Sequence, residues 1–314
     1  MLKKLCVWLT ILFLGLSLAG CGVTSSSAGE RRVVDGAGRE VRLPLHPSRI
    51  VSLTYGTDEI LAELVSFERI LAFCKYAGNE DITFITASEC EQVGRVSDGE
   101  AEQLLALKPD LVLASTSTPQ QVVQLLASSG VPVYVSEIPS TYEGMKGKIH
   151  GVAEAVNEKE QGEALILLMD DKLAVIEEKL SSITPEKERT ALGLSFRGIL
   201  GKKGSLFADV LRLAHVRDGA ATYDLPKGTN TYLSLEVLPK INPDVIFLPV
   251  WHVREEDDPQ KFADQLLTNP AFGEIKAVKE GRLIPFSEKY KYVMSHHVVD
   301  AIEAAARVVY PEIF

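Results

Sequence analysis

Residues 157–185, NEKEQGEALILLMDDKLAVIEEKLSSITP, decide how the rest of the chain is read. Leu165, Met169, Leu173, Ile176 and Leu180 recur at spacings of four, four, three and four, which lays one apolar stripe along a helix. Asn157-Glu158-Lys159-Glu160 looks like a capping-box start. Thr184-Pro185 ends the run, because the residue before a proline is pushed out of helical geometry. At ~1.5 Å per residue, a helix over 158–182 spans ~36 Å, enough to bridge two lobes.

On both sides of that helix, short apolar runs alternate with helical patterns. Upstream, a β-hairpin at 33–43 turns at Asp35-Gly36-Ala37-Gly38. Strands follow at 50–53, 70–73, 111–114 and 133–135, and helices at 57–66, 99–107, 120–128 and 142–156. The strand runs are continuously apolar rather than alternating, as parallel strands covered on both faces require. Downstream, the pattern restarts with strands at 190–194, 245–248 and 282–284 and helices at 205–213, 234–238 and 295–309. The expected fold is α/β, two Rossmann-like lobes with parallel sheets, at 31–157 and 183–314, joined by one long helix.

An internal echo supports two lobes. Glu102 precedes Pro109-Asp110 by seven residues, and Glu236 precedes Pro243-Asp244 by seven. Each copy reads as a short helix, a Pro-Asp turn and a buried strand.

The first 30 residues are not part of that fold. Lys3 and Lys4 precede an apolar run at 5–18 that is short of the ~20 residues a spanning helix needs, so 1–20 reads as an export signal. Leu18-Ala19-Gly20-Cys21 resembles the lipobox of bacterial lipoproteins, in which Cys21 becomes the acylated first residue. Residues 21–30, rich in Ser and Gly, form a flexible tether. The expected location is extracytoplasmic, lipid-anchored to the membrane.

The 314 residues are 46% hydrophobic and 24% charged, a globular composition. Lys and Arg number 33 against 43 Asp and Glu, and removing Lys3 and Lys4 leaves 31, a formal charge of −12. That balance excludes a sequence-independent nucleic-acid binder, which needs cations to neutralise phosphates. Past Cys21 only Cys74 and Cys90 remain, either paired across their loop or as two buried thiols. No GxSxG, HExxH, P-loop or post-strand GxGxxG occurs, so a binding protein is expected rather than an enzyme.

Several segments in order carry a family resemblance: Asp35-Gly36-Ala37-Gly38-Arg39, Pro47-Ser48-Arg49-Ile50-Val51-Ser52-Leu53, Val93-Gly94-Arg95, the two Glu-to-Pro-Asp segments and Asn269-Pro270-Ala271-Phe272. Together they resemble the substrate-binding proteins of bacterial ABC importers for iron-siderophore, haem and cobalamin. The resemblance implies capture of an iron(III) chelate, siderophore or haem, with a corrinoid as the alternative, and no resident cofactor. It also implies delivery to an ABC permease dimer with its ATPase subunits. Glu102 and Glu236 would then pair with permease arginines, one from each lobe. A monomer with modest lobe movement, a few degrees, is expected.

In open α/β sheets the ligand lies beyond the carboxyl ends of the strands. The residues just past each strand end nominate Tyr55, Tyr76, Thr116, Phe196, Arg197, Trp251, His252 and Tyr290, with Tyr232 ahead of the helix at 234–238 and Arg95 from the Gly-Arg segment. Rings would stack on a flat chelate while cations meet its carboxylates or phenolates. Any one ring could instead plug a sheet edge, and Arg95 could be a salt-bridge partner. Tyr76 ranks first, because haem- and cobalamin-binding members of the family resemble it in carrying a Tyr there. His296 and His297, adjacent on a helix, would point about 100° apart, so at most one faces the cleft. His46, His150 and His215 sit in a turn, on a polar helix face and at a helix end. A bare metal site wants three or four converging ligands, so none is expected, and axial contact to haem iron or corrinoid cobalt is the fairer use of a Tyr or His.

Overall fold

A computed structural model describes residues 29–201, 204–223, 232–251, 254 and 256–314. The export segment, Cys21 and His252 lie outside the described residues. The chain opens with the antiparallel hairpin β1 (Glu30–Val34) and β2 (Glu40–Pro44). Its turn is organised by the buried carboxylate of Asp35, which accepts the N–H groups of Ala37 and Arg39, pairs with the Arg39 guanidinium, and reaches the N–H of Val135.

The first lobe is a parallel sheet of β3 (Ile50–Ser52), β4 (Ile70–Cys74), β5 (Val96–Ser97), β6 (Leu111–Ser115) and β7 (Val133–Ser136), in spatial order β5-β4-β3-β6-β7. Every residue of β3, β6 and β7 is buried, which is why their sequences do not alternate. The chain leaves β3 toward β4 and β5, then returns to add β6 and β7 on the other side. The order therefore reverses between β3 and β6, and a crevice opens at their carboxyl ends.

The second lobe repeats the plan with β8 (Thr190–Ser195), β9 (Gly198–Ile199), β10 (Arg217–Asp218), β11 (Val245–Leu248) and β12 (Leu283–Pro285). Its order is β10-β8-β11-β12, with β9 folded back antiparallel on β8. The sequence echo is real at the level of the backbone. Lys108 and Asn242, each just ahead of a Pro-Asp pair, share a left-handed conformation with φ of 51° and 48°. The Asp110 carboxylate accepts the N–H groups of Ser48 and Arg49 at the start of β3, and Asp244 accepts that of Thr190 at the start of β8. Each Pro-Asp turn thus pins the neighbouring strand at the end remote from the cleft.

The helix Lys159–Leu180 joins the lobes, burying Leu165, Met169, Leu173, Ile176 and Leu180 as their spacing requires. No capping box opens it: its N-cap, Glu158, makes no side-chain capping bond, and Asn157 instead closes the preceding helix Tyr142–Val156 in the left-handed conformation at φ 62°. A β-carbon disfavours that conformation less for Asn than for most residues. One continuous apolar cluster runs from Ile50 and Leu111 through Leu165 and Met169 to Val245 and Phe247, so the lobes share a core. The last helix begins at Val298, three residues later than the sequence pattern suggests, because Ser295–His297 form a separate turn.

Candidate functional site

The crevice between β3 and β6 is a cavity of about 500 Å³. Its first wall comes from the turn after β3, where the Thr54 hydroxyl accepts the N–H of Thr57 and caps the helix Tyr55–Leu64. Its second comes from the turn after β6, where the Ser115 and Ser117 hydroxyls hydrogen-bond at 2.7 Å and Pro119 leads into the helix Gln120–Ser128. Asp98 and Glu100 contribute a third wall, and Met294 from the second lobe supplies part of the floor.

Aromatic rings run across the gap. Tyr76, after β4, meets Tyr55 edge-on at 6.4 Å between centroids and Trp251 of the second lobe at 6.1 Å. The Trp251 and Val250 N–H groups are held by the Glu288 carboxylate, itself paired with the buried Lys291. Such edge contacts fix ring orientation, and Lys75 Nζ stands over the Tyr76 ring at 5.3 Å.

The floor is the second-lobe segment 292–295, bound by the first lobe at three points. The Tyr55 hydroxyl donates to the Tyr292 carbonyl at 2.9 Å, Lys148 Nζ donates to the Met294 carbonyl at 2.7 Å, and the Ser295 hydroxyl donates to the Glu59 carboxylate. Gly56 makes the approach possible, since a β-carbon there would stand 2.6 Å from Met294 Cβ and against its carbonyl oxygen. Burial governs the ionisable groups beneath. It pushes Asp58 up to about 7, with hydrogen bonds from Cys74 and Ser52 opposing. It also pulls Lys148 down to about 8 against the attraction of Glu59 and Asp58.

The structure gathers Tyr55, Tyr76 and Trp251 at the cleft and brings Tyr232 beside Tyr292. Other expected site residues fall elsewhere. Thr116 is exposed, with its backbone N–H spent on the Ser136 carbonyl, and the cavity is lined instead by Ser117 and Thr118. Arg95 is exposed off the cavity and makes no ion pair among the described residues. Phe196 packs on Phe262 at 5.3 Å within the second lobe, which leaves Arg197 exposed at the β8–β9 turn. Tyr290 lies beneath the cleft between Phe84 at 5.5 Å and Phe286 at 5.3 Å, where it joins the lobes. His296 and His297 do not diverge as helical neighbours, because both precede the helix, and their rings lie 4.0 Å apart. His297 stacks on Phe84 and bonds Asp300 at 2.6 Å, whereas His296 is buried with Nδ1 unpartnered, so neither lines the cavity.

Cys74 and Cys90 are both free, the first buried beside Asp58 and the second half-buried. Glu102 and Glu236 are exposed in the first turns of their helices, one per lobe. Among the described residues no three metal-ligating side chains converge, and no helix is long and apolar enough to cross a membrane. Lys148 is the site residue that strand ends do not reveal, since it arrives from a helix. Its signal is in the sequence nonetheless: Met145, Lys148 and Val152 share one helical face, and a lysine on an apolar stripe is buried for a reason.

Known proteins place this architecture. A family model described as periplasmic binding protein matches residues 50–290. The iron-uptake system-binding protein of Bacillus subtilis (strain 168) is 24% identical over 300 residues, covering 89% of each chain. Among solved structures, Haemophilus influenzae MolA bound to molybdate superposes with a TM-score of 0.72 at 20% identity, covering 90% of this chain and 92% of that one. The apo heme-binding protein RhuT from Roseiflexus sp. RS-1 gives 0.69 at 21% identity, covering 85% and 100%.

Proposed function

The chain belongs to the periplasmic binding protein family, and from that premise we propose that it is the extracytoplasmic receptor of an ABC importer, capturing an iron(III) chelate, siderophore or haem, between its lobes. The observation that carries this reading is the aromatic line Tyr55–Tyr76–Trp251 spanning both lobes above a cavity of about 500 Å³ at the sheet's switch point. That volume lies within the ~300–1,000 Å³ typical of small-molecule sites. Stacking and hydrogen bonding suffice for capture, and the function requires no covalent step.

Delivery follows from the two exposed carboxylates. Glu102 and Glu236, one per lobe, meet the two halves of a permease dimer through directional pairing with arginine, while ATPase subunits drive transport. Acylation at Cys21 and the tether behind it keep the receptor at the membrane surface.

Absorbance of protein purified from native cells, followed by titration calorimetry, tests the reading. A broad iron charge-transfer band or a Soret band, with stoichiometric binding of the matching compound, supports it. A corrinoid spectrum moves the cargo to the alternative within the family. Absence of heat with ferric siderophores, hemin and corrinoids alike, or steady turnover of a substrate, refutes it.

A further inference from the structure

Lys148 is a buried cation, 6% exposed, that lines the cleft with the buried carboxyl groups of Asp58 and Glu59 beneath it. An ammonium carries three N–H donors, and the Met294 carbonyl takes one. Glu59 and Asp58 attract the ammonium from beneath without taking its remaining donors, so it keeps hydrogen-bonding capacity toward the cleft. Two helices of 10 and 9 residues, Tyr55–Leu64 and Gln120–Ser128, begin at the same cavity. Their first turns present free N–H groups and the positive end of the helix dipole. The hydroxyls of Ser117 and Thr118 complete the donor set.

Resting on the receptor reading above, we infer that the floor of the cleft is an anion receptor in which Lys148, flanked by these two helix starts, binds an anionic oxygen group of the cargo. Such a group is a carboxylate of a ferric chelate or of haem, or an oxygen of a tetrahedral oxyanion; the shared chemistry is a compact oxyanion. A second cavity of about 290 Å³ also touches Lys148 from behind. It is lined by Asp35, Glu137 and Glu154 and by no helix start, whereas the cleft has two, so the cleft side is the one that accepts an anion. At the cleft mouth stand Asp98 and Glu100. A cargo therefore enters with its anionic end inward and its least negative part outward. Because Lys148 also holds the Met294 carbonyl, the anion sits on the joint between the lobes.

The test is calorimetry of the mature protein and of Lys148→Met with four probes: ferric citrate, hemin, sodium molybdate and cyanocobalamin. Met fills the same space without charge. Wild-type protein is expected to bind at least one anionic probe, and the variant to bind it at least tenfold more weakly. Which probe responds distinguishes a carboxylate from a tetrahedral oxyanion. With Lys148 titrating near 8, wild-type affinity falls about 30-fold between pH 7 and pH 9.5, and the variant loses this dependence. Asp58 and Glu59 beneath Lys148, Asp98 and Glu100 at the mouth, and His150 with the acids of the second cavity are present in both proteins, so the difference isolates Lys148. Equal affinity in the variant for whichever probe binds, or an unchanged pH slope, overturns the assignment and leaves the receptor reading standing. Wild-type protein that binds none of the probes overturns the assignment, and the receptor reading is then decided by the ferric siderophores named above. If the Met variant does not fold, Lys148→Gln is measured in its place against the same outcomes.

Discussion

Gly56→Ala adds one methyl group where the lobes meet, and the direction of its effect is set by two opposed terms. In a helix, alanine is favoured over glycine by about 0.5–1 kcal/mol. Against this, the new carbon would lie 2.6 Å from Met294 Cβ and 2.9 Å from its carbonyl carbon, so the floor segment must retreat. Overpacking of a close-packed region costs about 1–3 kcal/mol. Retreat also stretches the bonds from Tyr55, Lys148 and Ser295, each worth about 0.5–1.5 kcal/mol. The steric and hydrogen-bond losses outweigh the helix term, giving a net destabilisation of about 2 kcal/mol. At about 2–4 °C per kcal/mol, the thermal midpoint falls by roughly 4–8 °C. Differential scanning calorimetry reads the midpoint, and small-angle scattering of the same sample should show a slightly larger radius of gyration as the lobes part. A variant as stable as wild type, with unchanged scattering, would show that the floor is not clamped as described.

Tyr76→Ala should lower cargo affinity about 10- to 100-fold, about 1.4–2.7 kcal/mol, with little loss of stability. Tyr290→Ala should do the reverse, lowering stability by about 2 kcal/mol while leaving affinity intact, since its ring packs between Phe84 and Phe286. Burial, together with the neighbouring His297, pulls His296 down to about 3, so the folded protein keeps it neutral while the unfolded chain protonates it below about 6.5. Stability is therefore full above that pH and drains by about 1.4 kcal/mol per unit as pH falls from 6.5 toward 3; urea titrations across this window should show the slope, and His296→Gln should flatten it. Reversing both Glu102 and Glu236 to Lys should abolish uptake in cells while calorimetric affinity stays unchanged; lost affinity would contradict the docking role. Solution scattering with and without cargo should reveal only a small change, because the shared core and the helix Lys159–Leu180 resist hinging, and a large compaction would contradict that.

Strands covered on both faces were legible because burial demands unbroken apolar runs: β11 matches its sequence pattern residue for residue, as do the helices Gln120–Ser128 and Tyr142–Val156. The two-residue strands β5, β9 and β10 were not, since two residues carry no period. The helix Ala87–Val93 was missed although Thr86 and Glu89 form a complete capping box, because its face is mostly exposed and lacks an apolar stripe. At the site, position after a strand points to the loops that carry Tyr55, Tyr76 and Trp251 to the cleft. It says nothing of which way a side chain turns, which is why Thr116 stands out in solvent while Ser117 and Thr118 face the cavity. Lys148 escaped because strand ends point only to loops, whereas the cleft is also reached from a helix beneath it.

The Pro-Asp turns fasten the two sheets at the pole opposite the guest, with Asp110 clasping the amides just ahead of β3 and Asp244 the first amide of β8. Strand alignment is thereby settled without help from the loops that touch cargo. Substitutions in those loops can retune selectivity without loosening the scaffold, so one chassis is free to diversify toward chemically different guests.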